Sequence, residues 1–508
     1  MRKLVCSLVI LASAIAFAEK EKVATVQIDN MTGLAGSCTK LGEMLGNPMV
    51  SSMITGSLAK NPATKYFGPM RADDGVSVVL GLYLDAAKIG CTNGNDEAVA
   101  CTVVYPVVGG KAKFLKLHKD AREQDGVIRV DDDEFTAFSA DGKWATKAET
   151  AELAKTALAD VEVAQKKMGG DIARVRVNAR GIAALEKIFE EAGKTDGKSA
   201  EWLAAYYNIW IRGAKAAVGA VKVSDAGLDF IGSVKVAADS TLARFGKTSL
   251  ADDPLKFAGK DALIASATAP GFMNTWDCDT VVRIVEMLKK ELGVDADKFL
   301  AVTGKGDDLK IAADVRSAIA YFKAAETNGL KKAFEQKRGD KDFATRLQAE
   351  YMKIAGKTIP TEPSASGCNF SFALKGYTAG CTMSERFGKV LPKIAEKKPF
   401  KCDAMSYVAI LNALVPSVLE SLDEETRAMA QPLLVQLPKD GKGGLASACW
   451  REDDTFKALC RISADEIKGI GSIVNVGISF AMMQAMNGAA TGEEDDADDE
   501  DGDADDED

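Results

Sequence analysis

The residues best spaced for covalent chemistry are Ser57 and Lys60, in the run Ser57-Leu58-Ala59-Lys60. On a helix this spacing sets the lysine amine one turn from the serine hydroxyl, where a neutral amine would take the proton of an attacking oxygen, as in serine-lysine acylases. The Lys-Thr-Gly companion of that chemistry is missing from the chain. A second set of candidates is the C-terminal acidic run, in which Glu493, Asp495, Asp498 and Asp501 are carboxylates suited to weak, diffuse capture of divalent cations. An EF-hand loop is ruled out there, because the loop around Gly502 would begin at Ala497 and no helix would follow. A third set is aromatic. Trp202, Tyr206 and Trp210 recur every four residues on one helix face, a stripe able to stack a sugar or peptide or to enter a core or domain interface.

Other chemistry is excluded by composition. A single histidine, His118, rules out any triad or zinc site that uses two histidines, which removes many secreted hydrolases. No serine stands in a Gly-x-Ser-x-Gly elbow. Gly193-Lys194-Thr195, Gly246-Lys247-Thr248 and Gly356-Lys357-Thr358 lack the earlier glycine of a phosphate loop, so no cofactor is expected. Arg338-Gly339-Asp340 lies in a charged stretch where those residues are ordinary. A carboxylate pair of the glycosidase kind leaves no spacing signature in sequence, so a hydrolase using carboxylates or Ser57 and Lys60 stands as the enzymatic alternative.

The ends carry the clearest signals. Arg2 and Lys3 precede an apolar run from Leu4 to Ile15, and Ala16 and Ala18 follow as small residues before the charged Glu19-Lys20-Glu21-Lys22. The pattern predicts a signal peptide over 1–18, and hence an exported chain in the periplasm or extracellular space with no membrane anchor after cleavage. The segment from Glu493 to Asp508 holds thirteen acids in sixteen residues and predicts an extended, solvated tail from 492 to 508. Taking those thirteen from the 74 acids, and Arg2 and Lys3 from the 64 bases, leaves 61 against 62. The body is therefore nearly neutral, without the basic excess that nucleic-acid binding needs. An unknown protein or envelope component is the expected partner.

Nine cysteines remain after cleavage, in a compartment that favours disulfides. Cys449 and Cys460 are eleven apart around an Asp453-Asp454 turn, and Cys368 and Cys381 are thirteen apart around Lys375-Gly376. Odd separations suit facing positions in two-residue hairpins. Cys91 and Cys101 are ten apart around Asn93-Gly94-Asn95-Asp96, which suits a longer loop. Three hairpin disulfides are expected, with the pairing of Cys38, Cys278 and Cys402 open.

The elements that would position these residues recur along the chain. A strand near Val26–Ile28 leads to a helix with Cys38 and Glu43-Met44-Leu45, and Leu263–Ala265 leads to one with Cys278 and Glu286-Met287-Leu288. The strand, Asp141-Gly142 turn, strand and helix of 135–153 match 370–387. Val175–Asn178 running into Ile182 matches Lys401–Asp403 running into Tyr407 and Ile410, and the hairpin 221–236 matches 445–462. Four matches in one order predict two tandem copies of an α+β unit of antiparallel hairpins packed with helices. The first spans 19–254, with a β-rich insert at 76–108. The second spans 255–491, with a helical insert at 308–355. Ser463-Ala464-Asp465-Glu466 predicts a capping box that opens the last helix. Together these readings point to an exported protein with a binding or structural role.

Overall fold

Residues 21–46, 77–84, 99–107, 109–184, 213–238, 254–269, 298–304, 308–320, 369–376, 381–392, 404–412 and 443–475, with a few single positions between them, are described in a computed structural model of the chain. The first half runs β1 (Glu21–Ile28), α1 (Met31–Met44), β2 (Val78–Leu84), β3 (Val99–Pro106), α2 (Gly110–Leu117), β4 (Arg122–Gln124), β5 (Val127–Asp131), β6 (Glu134–Phe138), β7 (Trp144–Ala148), α3 (Ala151–Ala157), α4 (Val161–Ala164), β8 (Asp171–Val177), β9 (Ala214–Ser224) and β10 (Gly227–Val236). The second half runs β11 (Ala262–Thr268), β12 (Leu300–Thr303), β13 (Asp308–Asp314), β14 (Asn369–Lys375), α5 (Met383–Val390), β15 (Ala404–Val408), β16 (Leu445–Glu452) and β17 (Thr455–Ser463). A closing helix follows over 464–475. The fold is α+β.

The pairings join all seventeen described strands into one sheet, ordered β4-β5-β6-β7-β3-β2-β1-β8-β9-β10-β17-β16-β15-β11-β14-β13-β12. Every ladder is antiparallel except β13 with β14. The halves meet where β10 pairs with β17 over nine residues, from Gly227 opposite Ser463 to Lys235 opposite Thr455. Around this seam the register repeats. The β9–β10 hairpin closes Ser224 on Gly227 and the β16–β17 hairpin closes Glu452 on Thr455, a shift of 228 positions (227 to 455). The same shift exchanges the two end pairs of the seam and carries Ile231 onto its own partner, Leu459. Farther out, the Asn178 amide donates to the Val23 carbonyl at 3.1 Å, and the Ala409 amide donates to the Leu263 carbonyl at 2.8 Å.

One face of the second half is paved with small residues. Ala265, Ala267, Ala373, Ala446 and Ala448 are buried beside Met405 and Tyr407, and this low floor admits Met383, Phe387 and Val390 of α5. Thr382 and Glu385 form a full capping box at the start of α5. On the opposite face, α1 and the closing helix bury Met44, Val223 and Ile467. These helices cross so tightly at Gly471 that a Cβ there would collide with the Leu45 carbonyl.

Several sequence expectations need correction. Asp308–Asp314, expected in a polar helical insert, is a strand whose Leu309 and Ile311 are buried at a spacing of two. Helical residues follow at 315–320, and 321–355 lies outside the described residues. Tyr407, expected on a helix, lies on β15. After β14 the chain enters α5 rather than the second strand of a hairpin around Gly376, so Cys381 immediately precedes a helix cap. In the last hairpin Cys449 faces Ala458 and Cys460 faces Ser447. The turn at Asp453-Asp454, with Asp453 at φ 52°, centres the register one position before the one that would set the cysteines opposite each other. No disulfide joins cysteines 38, 101, 381, 449 and 460 among the described residues.

Candidate functional site

Most of the residues proposed from sequence for chemistry or binding lie outside the described residues: Ser57, Lys60, Trp202, Tyr206, Trp210, Cys91, Cys368, Glu493, Asp495, Asp498 and Asp501. Cys101 is described, exposed on β3 opposite Leu82. His118 stacks on Phe114 with ring centroids 4.4 Å apart. Among the described residues no group of three histidine, cysteine or acidic side chains is arranged to hold a metal. No described helix is long and apolar enough to cross a membrane.

The structure instead brings together a buried polar cluster that spacing does not reveal. It begins at a bulge in β1, where Lys22 pairs with Tyr83 but Ala24 pairs with Leu82. Val23 and Ala24 therefore pack into one apolar cluster with Leu84 and Ala184, while Lys22 turns to the other face of the sheet. There its ammonium pairs with Oδ1 of Asp160. Asp160 is buried on the short 3-10 turn between α3 and α4, above β2 and β3. Gly81 lies opposite Thr102 on β3, two residues before Tyr83. A Cβ built on Gly81 would stand 2.5 Å from Thr102 Oγ1, 2.9 Å from Tyr83 Cε2 and 3.4 Å from Asp160 Oδ2. Tyr83 Oη, Thr102 Oγ1 and Asp160 Oδ2 are all buried, with the Tyr83 and Thr102 hydroxyls close enough to interact with each other. Burial, and then the Asp160 charge, push the Tyr83 phenol up to about 12. At neutral pH the Tyr83 phenol therefore keeps its proton.

Beside it, Gln27 fixes the helical roof. Its fully buried amide donates to Ser77 Oγ at 2.8 Å and to the Val163 and Lys166 carbonyls at 3.0 and 2.9 Å, and its Oε1 accepts from Arg176 at 3.2 Å.

A second buried cluster lies in the other half. Arg386 donates to the carbonyls of Ala262 at 2.6 Å and Lys260 at 2.8 Å, and lies 5.7 Å from the centroid of the Tyr407 ring. Tyr407 in turn donates to the Gly443 carbonyl. Glu466 completes only half of the expected capping box: its amide donates to Ser463 Oγ at 3.2 Å, but its Oε1 accepts the Leu411 amide at 2.7 Å instead of reaching back to Ser463. Burial raises this carboxyl to about 7 against the opposing pull of the amides it accepts. These contacts hold loops and helix starts in place.

The seam is the third feature. Arg461 grips Asp229 with two bonds of 2.5 and 2.7 Å and also donates to the Val390 carbonyl of α5 at 3.2 Å. In the middle of the seam Phe230 and Ile231, on opposite faces, stay 42% and 40% exposed.

Neither the known protein families, nor the curated proteins, nor the solved structures contain a match to this chain.

Proposed function

We propose that the chain is an exported, non-catalytic binding or structural protein of the cell envelope or extracellular space, built from two tandem copies of one α+β unit over 19–254 and 255–491. The leader at 1–18 directs export, and the acidic tail from 492 keeps the end of the chain solvated. The observation that carries the reading is the β10–β17 seam, whose register maps onto itself under a shift of 228 positions (227 to 455). Such self-matching is expected when two copies of a unit pair through the same edge. Sixteen inter-strand steps of ~4.8 Å add up to about 77 Å measured along the sheet, a long run of strand faces on which other components can be held.

The test measures hydrolysis of ester, peptide and glycoside substrates by the secreted chain, alongside S57A and K60A variants. In parallel, a photo-crosslinking residue is placed at Phe230 in cells and, as a control, at the exposed Leu117. The reading expects no turnover and adducts to one envelope or extracellular component from position 230 alone. Turnover lost in S57A or K60A would overturn it in favour of the hydrolase.

A further inference from the structure

We propose that the Asp229–Arg461 pair is the specificity determinant of the seam: it restricts the β10 and β17 edges to unlike partners, and without it two copies of this chain join like with like, β10 on β10 and β17 on β17. The register of the seam leaves these alternatives open. Because the shift of 228 positions (227 to 455) exchanges its end pairs and carries Ile231 onto Leu459, a second chain can offer either edge the same antiparallel register. Two β10 strands would then pair Ile231 with its own copy, Phe230 with Gly232, and Leu228 with Val234. Two β17 strands would pair Leu459 with its own copy, Ala458 with Cys460, and Phe456 with Ile462. Small or apolar residues meet in every one of these pairs, so they do not discriminate.

The charged positions do. In the closed seam Asp229 faces Arg461 and Ser233 faces Lys457, on the same face of the ladder as Ile231 and Leu459. Asp229 is buried and holds the guanidinium by two bonds of 2.5 and 2.7 Å. The shift carries Asp229 onto Lys457 and Ser233 onto Arg461, so the charges do not repeat although the register does. In a β17–β17 pairing Arg461 would face Lys457 twice, like charge against like. In a β10–β10 pairing Asp229 would face Ser233 twice, a buried carboxylate left without its cation. The more exposed Lys235–Asp454 contact, at 3.4 Å, also exists only in the unlike arrangement. This selection follows from the seam alone and is independent of what the chain binds.

The test places a reporter at the centre of the seam. In the full chain carrying I231C, position 231 faces Leu459 when the seam closes and faces its own copy when two β10 strands pair, at a separation a disulfide can span. Chains are unfolded in urea, refolded under oxidising conditions and digested, and peptides joined through 231–231 are counted by mass spectrometry, which separates them from links of the natural cysteines. I231C/L459C, which should give the 231–459 link, reports the closed seam. The expected result is a trace of the 231–231 link with Asp229 and Arg461 in place, and a rise of at least about tenfold when D229L/R461M is added, the change that one close charge pair implies. S233K should raise it as well, because it gives Asp229 a cation in the β10–β10 pairing and sets an ammonium against Lys457 in the closed seam. Equal 231–231 yields with and without the pair overturn the proposal, as does absence of the 231–459 link from I231C/L459C. If D229L/R461M does not fold, S233K decides alone.

Discussion

Replacing Glu466 with glutamine should stabilise the protein above neutral pH and leave it almost unaffected in acid. The carboxyl is fully buried, its Oε2 has no hydrogen bond among the described residues, and its folded value stands near 7 against 4.5 for the free group. Because the folded state holds this proton more tightly than the unfolded state, the favourable contribution is complete below pH 4.5 and is lost as pH rises through 7. The gap of 2.5 between those values corresponds to about 3 kcal/mol. Glutamine keeps an oxygen for the Leu411 amide and carries no charge at any pH, so it removes this dependence while preserving the link to the helix beginning at 410. Urea unfolding of wild type and E466Q at pH 4, 6 and 8 measures the difference. Isolating the group by the difference between the two proteins removes the titration of all other residues. The variant should gain on wild type with each step upward, by up to about 3 kcal/mol at pH 8. A difference that stays constant with pH, or one that favours wild type more at pH 8 than at pH 4, would refute the reasoning.

Alanine at Asp229 strands Arg461 inside the seam and should cost about 3–5 kcal/mol, while the D229L/R461M pair recovers most of it; a double-mutant cycle in urea reads the coupling. Thr382→Ala removes the cap of α5 and should destabilise by about 1 kcal/mol, visible as a lower urea midpoint with an unchanged slope. At Gly471 helix propensity alone would favour alanine by about 1 kcal/mol, yet the added methyl meets the Leu45 carbonyl, so G471A should lower Tm instead.

How much of this was legible in the sequence depended on the range of the interaction. Strands bounded by turn residues were readable, and β6, β7, β9, β10, β16 and β17 lie close to where alternation and Asp or Gly turns placed them. The insert strands β2 and β3 were equally plain. A register error of one position was enough to spoil the Cys449–Cys460 expectation, because a side-chain period of two leaves no tolerance. The helical expectation for 308–314 failed because charged ends outweighed the alternation of Leu309 and Ile311, which a parallel neighbour then used. The polar cluster around Gly81 was invisible for a different reason. Lys22, Gly81, Thr102 and Asp160 come from four separated stretches, and only a bulge that turns Lys22 to the far face assembles them. Thr382 and Glu385, by contrast, carry a local signature that capping-box spacing would have found.

The seam also sets a timetable for the chain. β10 is complete at Val236, but the strand that covers its outer edge ends at Ser463. At ~5–20 residues per second, the 228 positions from Gly227 to Thr455 take roughly 11–46 s to synthesise. Throughout that interval one half can be folded with a bare row of backbone donors and acceptors, an edge that any β17 of matching register can occupy. A neighbouring molecule's β17 offers the same register as the chain's own. Crowded synthesis thus favours pairs of chains that exchange their last hairpins, and dilution favours the closed single chain.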